Sequence, residues 1–365
     1  MSSTVYLRPI ALADSPQSED GAAIRLAGGL VYASRFALIE RADGKIIART
    51  LYSVPELRAA LPGLPDAVQR QFDNFQRVHP PLHCGARTIR LDQPQIMGIL
   101  NLTPDSFSDG GQFMDDPAVA DAHAATMAES GAAVIDIGGE STRPGAPAVW
   151  EGDELKRVIP AIERLAAMGV AISVDTRRPA VMEAALKAGA HIINDVSALR
   201  YDPRSLELAA RAGVPVILMH TPGSGDDLHS GVGYGDVVLD VFDWLADRRD
   251  AALAAGIARD QIVLDPGIGF GKTVAENLAL INALPLFHAL GQPLLLGASR
   301  KRTIGALDNE APAHLRLCGS LTFAVKAMNA GVQLLRVHDV PQTVQAVRVW
   351  RGLRDAALTD FSQLA

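Results

Sequence analysis

The sequence predicts an α/β fold: a closed (β/α)8 barrel carried behind an N-terminal extension. Three observations predict it. Short apolar, β-branched runs recur eight times from Ile96 onward. Helical stretches, mostly Ala-rich, separate these runs and follow the last. Almost every run ends in a polar residue that opens a loop. Parallel strands buried on both faces read as near-continuous apolar runs, and eight strand–helix units in about 250 residues fit a closed barrel. An open doubly wound sheet is the alternative, but its Gly-rich fingerprint is missing after the first strand.

In chain order, residues 5–10, 24–40 and 45–52 are apolar with β-branched residues and scattered turns, so short strands are expected there. Residues 55–61 and 66–78 read as helices, Pro55 being tolerated in a first turn. His79-Pro80-Pro81 breaks any helix and marks a boundary, giving an extension over 1–80 of unknown role and a barrel over 81–365. No chemical motif lies in the extension. A barrel starting near Pro81 is therefore expected to keep its activity if it stays soluble. Residues 87–91 read as a strand entering the main body. The barrel strands are 96–102, 133–137, 171–174, 191–194, 214–219, 262–264, 294–296 and 334–337. Helices fall at 118–130, 151–168, 179–188, 202–212, 237–255, 275–290, 314–330 and 340–353.

The chain has 365 residues, 34 Lys+Arg against 41 Asp+Glu, and a formal charge of −7. With 48% hydrophobic residues it is globular in composition, and its mild acidity argues against a nucleic-acid partner. Two cysteines, Cys84 and Cys318, make no disulfide framework, and with no secretory start the expected location is the cytoplasm. Residues 277–299 carry no Asp, Glu, Lys or Arg, long enough to span a bilayer, yet Asn282, Pro285, His288, Gln292 and Pro293 interrupt them. An amphipathic helix, a turn and a buried strand are expected there, and no membrane partner.

The strand ends carry Asn101, Asp136, Asp175, Asn194 with Asp195, His220, Asp265, Ser299-Arg300-Lys301 and Arg336 with His338 and Asp339. In a parallel barrel all of these converge on one face, where such enzymes hold their active sites. Helix capping accounts for a few, such as Asp195 and Asp339. The segment Gly267-Ile-Gly-Phe-Gly-Lys272-Thr273 approaches a P-loop, but the motif needs Gly where Pro266 stands. It reads instead as a Gly-rich loop along which a flat ligand can lie, with Phe270 able to stack on it. Ser141-Thr142-Arg143-Pro144-Gly145 and Ser299-Arg300-Lys301 suit anions. Asp175, Asn194 and Asp265 suit the donor edge of a heterocycle such as an aminopyrimidinone.

These residues resemble one family. Ile96-Met-Gly-Ile-Leu-Asn-Leu-Thr-Pro-Asp-Ser-Phe-Ser-Asp-Gly-Gly111 and Asp136-Ile-Gly-Gly-Glu-Ser-Thr-Arg-Pro-Gly145 resemble the signatures of the dihydropteroate synthases. Further matches follow in order: Ser173-Val-Asp-Thr176, Ile193-Asn-Asp-Val196, Leu218-Met-His220, Asp265-Pro-Gly-Ile-Gly-Phe-Gly-Lys272, Ser299-Arg-Lys301 and Arg336-Val-His-Asp-Val340. The resemblance spans about residues 84–352 and implies a TIM barrel, Mg²⁺ and a homodimer. It implies condensation of 6-hydroxymethyl-7,8-dihydropterin diphosphate with p-aminobenzoate. It also implies a pterin pocket of Asp175, Asn194, Met219, Asp265, Phe270 and Lys301. Asn101, Arg143, Arg336 and His338 would bind diphosphate, Asn101 also contacting the metal. Thr142, Pro144, Phe270, Ser299 and Lys301 would line the p-aminobenzoate pocket.

Two departures stand out. Thr221-Pro222-Gly223-Ser224 follows His220 where the family often has Met-Gln-Gly, and Arg302 replaces a frequent Ser. A pterin-binding methyltransferase domain would share the barrel, but the complete first loop and Ser299–Lys301 suit diphosphate and p-aminobenzoate. A catalytically silent paralogue would be expected to lack Asn101, Arg143 or Lys301, and all three are present.

Overall fold

The structure, a computed structural model, describes residues 4–13, 15, 22–103, 117–143, 145–146, 148–231 and 233–358. The chain opens with an antiparallel sheet of β1 (Thr4–Ala13), β2 (Ile24–Arg25), β3 (Tyr32–Ala42) and β4 (Lys45–Ser53), in which β3 pairs with the other three. Ser53 and Glu56 form a reciprocal capping box that starts α1 (Val54–Ala60), and α2 (Asp66–Phe75) follows a 3₁₀ turn. Phe36 packs against Phe72 and Phe75, with ring centroids 6.0 and 5.4 Å away.

The hairpin β5 (Leu82–Cys84) and β6 (Arg87–Ile89) comes next. The sequence predicts a lone strand here. The turn at Gly85, in the left-handed region, instead folds 82–89 back on itself. Its Leu82, Cys84 and Ile89, with Leu91, form one buried cluster with Met97, Val134, Ala171, Ile192, Ile217, Val263, Leu295 and Leu334, from the N-terminal half of the barrel. The hairpin is thus a plug under the barrel floor.

The barrel comprises β7 (Gln95–Asn101), β8 (Val134–Gly138), β9 (Ile172–Asp175), β10 (Ile192–Asp195), β11 (Val216–Met219), β12 (Ile262–Asp265), β13 (Leu295–Leu296) and β14 (Leu334–Val337). Neighbours pair in parallel in sequence order, β14 pairs with β7, and a bridge between Leu264 and Leu294 joins the remaining edges. This is the α/β TIM barrel the sequence predicts. Around it lie α3 (Pro117–Ser130), α4 (Glu151–Ala167), α5 (Pro179–Ala188), α6 (Arg204–Ala212), α7 (Val237–Ala254), α8 (Val274–Phe287), α9 (Arg302–Leu307), α10 (Leu317–Asn329) and α11 (Val340–Leu358).

The N-terminal sheet docks on α7 and α8. Tyr6 meets Phe242 edge to face at 5.5 Å, and its hydroxyl donates to Asp243 at 2.7 Å. Arg41 pairs with Asp240 at 2.6 Å, and the Asn74 amide donates to the Ala289 carbonyl at 2.8 Å. Consequently α8 is not amphipathic as expected from sequence. Leu280, Ile281, Ala283, Leu284, Leu286 and Phe287 are all buried, because β1 covers the side that faces away from the barrel. That burial explains the charge-free run. Among the described residues, no helix is long and apolar enough to cross a membrane.

Candidate active site

Strand register brings the polar ends to one side of the barrel. Asn101 pairs with Gly138, Gly138 with Asp175, Asp175 with Asn194, and Met219 with Asp265. Asn194 itself pairs with Ile217, so Met219 and Asp265 stand two residues further along, a stagger of even number that keeps these side chains around one mouth at the C-terminal ends of the strands.

Arg336 sits at the centre of this mouth. Its Nε donates to Asp136 Oδ2 and its Nη2 to Asp175 Oδ2, both at 2.6 Å. The Asn194 amide donates to the same Asp136 oxygen at 3.1 Å. Asp136 is fully buried, and its other oxygen accepts no hydrogen bond among the described residues. Burial opposes the charge on Arg336, yet Asp136 and Asp175 raise its pKa above the ordinary guanidinium range. Burial raises the Asp175 carboxyl, against the pull of Arg336. It also raises Asp265, against Lys301. One Asp265 oxygen accepts the Gly267 N–H at 2.7 Å.

The Gly-rich loop after β12 folds back over this floor. Gly267 has φ +68, and a Cβ there would lie 1.9 Å from the His220 carbonyl, so only glycine fits. Lys272 ties the loop to itself. Its ammonium donates to the carbonyls of Gly267 (2.8 Å) and Phe270 (3.1 Å) and meets His220 Nδ1 at 2.9 Å. Burial, with help from Lys301, brings the Lys272 pKa down to about 7. Burial and Lys272 hold His220 neutral, with a pKa of about 2. The lysine that made this loop look like a P-loop therefore faces its own backbone.

Lys301 occupies the N-cap position of α9, and its side chain makes no capping bond there. Its ammonium donates to the Ile268 carbonyl and lies 4.6 Å from the centre of the Phe270 ring. Burial lowers its pKa to about 8, against the attraction of Asp265. Arg300 turns away, in the left-handed region at φ +56, and pairs with Asp339 at 2.5 Å. Ser299 Oγ accepts the His338 N–H at 3.2 Å and meets His338 Nδ1 at 3.1 Å. Burial, then Arg300, Arg336, Arg143 and Lys301, hold the His338 imidazole well below its ordinary pKa.

The loop after β8 is anchored by charge. Glu140 accepts from Arg177 (3.0 and 3.1 Å) and from Arg178 (2.9 Å twice), and Arg178 also pairs with Glu154 at 2.6 Å. A cavity of about 550 Å³ opens between this loop and the one after β11, with Thr142, Arg143 and His229 in its wall. Pro144 and residues 104–116 of the first loop lie outside the described residues.

The structure thus brings Asp175, Asn194, Met219, Asp265, Lys301 and Arg336 to one mouth, with Phe270, Ser299, His338 and Asn101 at its edge. Sequence reasoning gave no role to Asp136, Arg177, Arg178, Lys272 or His229. Asp136 was legible as a strand end in the Asp-Ile-Gly-Gly-Glu run; the pairing of the others depends on loops that meet only in the fold.

The pterin binding enzyme family model matches residues 97–338. The dihydropteroate synthase of Escherichia coli (strain K12) is 47% identical over 265 residues, which are 72% of this chain and 92% of that protein. The dihydropteroate synthase of Neisseria meningitidis serogroup B is 47% identical over 274 residues, 74% of this chain and 96% of its own. The solved structure of the Xanthomonas albilineans dihydropteroate synthase with 4-aminobenzoic acid superposes with a TM-score of 0.71 at 48% identity, covering 76% of this chain and 99% of that one. The same enzyme in complex with 7,8-dihydropteroate gives 0.68 at 46% identity, covering 75% and 99%. The chain therefore belongs to the dihydropteroate synthases, within the pterin-binding enzymes.

Proposed function

We infer that this chain condenses 6-hydroxymethyl-7,8-dihydropterin diphosphate with p-aminobenzoate, giving 7,8-dihydropteroate and diphosphate. The observation that carries the reading is the mouth itself: Asp175, Asn194 and Asp265 around a floor neutralised by Arg336, with Lys301 beside Phe270. The C–O bond from the pterin methylene to diphosphate breaks, and its electron pair leaves on diphosphate. The aniline nitrogen donates its lone pair to the methylene carbon, and the new C–N bond sheds the nitrogen's proton.

In this reading Asp175, Asn194, Met219, Asp265, Phe270 and Lys301 hold the pterin. The Asp175 and Asp265 carboxylates stabilise the positive charge that spreads from the methylene into the ring. Arg143, Arg336, His338 and Asn101 receive the diphosphate. Arg336 spans both halves, since its guanidinium already touches Asp175. Thr142, Pro144, Phe270, Ser299 and Lys301 receive the aryl amine. The loops after β7 and β8 exclude water that would compete with a weak nucleophile.

Mg²⁺ is the cofactor the resemblance implies. Among the described residues no group of three His, Cys, Asp or Glu could cage a metal. Asn101 offers one amide oxygen, and Mg²⁺ is commonly held by one or two protein oxygens with substrate phosphates and water. That donor set fits an ion carried in by the diphosphate, where it would neutralise the leaving group. We further propose a cytoplasmic homodimer. Val349 and Leu353, one turn apart on α11 and both exposed, offer apolar surface for a second copy.

Diphosphate release by the purified chain, measured with and without p-aminobenzoate, tests the reading. Release that depends on the amine, with dihydropteroate formed in equal amount, is expected. Amine-independent release, or none, would overturn it.

A further inference from the structure

The loop after β11, where the sequence departs from the family's frequent pattern, is tightly built. The Thr221 hydroxyl donates to the Leu228 carbonyl, and Ser224 and Asp227 form an antiparallel bridge. Asp227 Oδ1 accepts the N–H groups of His229 (2.9 Å) and Ser230 (3.0 Å), and Leu228 is buried against Val196, Met219 and Phe270. This turn presents the His229 ring to two other loops. The ring stacks on Phe270, with centroids 5.2 Å apart and planes 7° from parallel. Its Nδ1 lies 3.3 Å from the Gly271 nitrogen and its Nε2 lies 2.9 Å from the Thr142 carbonyl oxygen.

An amide N–H only donates and a carbonyl only accepts. Both contacts are therefore satisfied by one form of the ring, neutral with its proton on Nε2. One imidazole thus joins the loops after β8, β11 and β12. The Phe270 ring it stacks on is the ring that the Lys301 ammonium approaches at 4.6 Å.

We propose that His229 is a positioning residue for the aryl-amine half of the site. It sets the distance between Thr142 on one side and Phe270 with Lys301 on the other. This rests on the reading that these residues receive p-aminobenzoate. His229 forms no hydrogen bond with the Asp175, Asn194 or Asp265 side chains of the pterin floor, while Phe270 and Lys301 border both halves of the site.

Two variants of the full chain separate its contributions. His229→Phe keeps an aromatic ring but removes both hydrogen bonds. His229→Gln offers an acceptor and a donor without the ring. With two hydrogen bonds lost, His229→Phe is expected to raise the KM for p-aminobenzoate about tenfold. Its KM for the pterin diphosphate should rise less than its KM for p-aminobenzoate, because Asp175, Asn194 and Asp265 keep their places, and His229→Gln should recover most of the loss. Unchanged kinetics in His229→Phe would overturn the proposal. So would an equal fall in kcat and in the use of both substrates by both variants, the signature of a merely structural role. Amide hydrogen exchange on the ligand-free protein reads the latch without turnover. Faster exchange at Gly271 in His229→Phe, restored in His229→Gln, is expected, and unchanged exchange would refute it. If the wild-type chain forms no dihydropteroate while the exchange result holds, the functional reading fails and the latch stands.

Discussion

Replacing Arg178 by Met tests how the loop after β8 is held. Arg178 is almost fully buried, and its guanidinium donates to Glu140 twice, to Glu154 and to the Val149 carbonyl at 2.6–2.9 Å. With Arg177 the cluster balances two cations against two carboxylates. Burial would raise Glu140, but the two arginines hold it below the ordinary carboxylate range. Glu154, wholly buried, stays raised by burial even with Arg178 present. Arg178→Met strands Glu154, and breaking a buried pair typically costs about 3–5 kcal/mol. Unfolding entropy of about 2.1 cal/mol/K per residue gives about 0.8 kcal/mol/K for 365 residues. A fall in melting temperature of about 4–6 °C is therefore expected by calorimetry. Because a protonated Glu154 is no longer a stranded charge, the deficit should shrink as pH falls. The double variant Arg178→Met with Glu154→Gln should regain at least half of the loss. A single variant melting within a degree of the parent, or a double variant worse than the single, would refute the reasoning.

Lys301 has a pKa of about 8 in the folded chain, so kcat/KM for p-aminobenzoate should fall as pH rises through that value. Its unfolded pKa is higher, so between the two the unfolded state binds more protons and this group's contribution to stability rises with pH. The activity loss should thus come without any loss of stability from Lys301, and a limb that persists in Lys301→Arg would assign the titration to another group. For the metal, excess chelator should abolish turnover and Asn101→Ala should raise the Mg²⁺ concentration needed for half-maximal rate; full turnover in chelator would remove the metal from the reaction. Deleting residues 1–80 uncovers Phe242 on α7 and the side of α8 that β1 covers, so the truncated barrel is expected to aggregate or to melt well below the full chain. Sedimentation and thermal melting would check this, and a soluble barrel melting like the parent would show that the extension contributes little to stability.

The sequence alone determined the eight strands, the barrel and the reaction family. Strand runs of period-independent apolar residues are local signals, and motifs such as Asp136-Ile-Gly-Gly-Glu140 keep the chemistry-bearing residues within a few positions of each other. The strand-end register then needs only the barrel's topology to bring Asp175, Asn194 and Asp265 together. Local signals did not give the roles of the charged residues. Arg336 and Asp136 stand 200 positions apart, Arg300 and Asp339 stand 39 apart, and each pairing is chosen by loops that meet only once the barrel closes. The sequence made α8 look amphipathic because nothing local shows that β1, more than 250 positions earlier in the chain, lies across it. Likewise nothing local to Lys272 or His229 assigns either of them a role. Only the tertiary structure turned the first onto its own loop's carbonyls and set the second between Thr142 and Gly271, because hydrogen-bond partners far apart in sequence are fixed by packing and not by pattern.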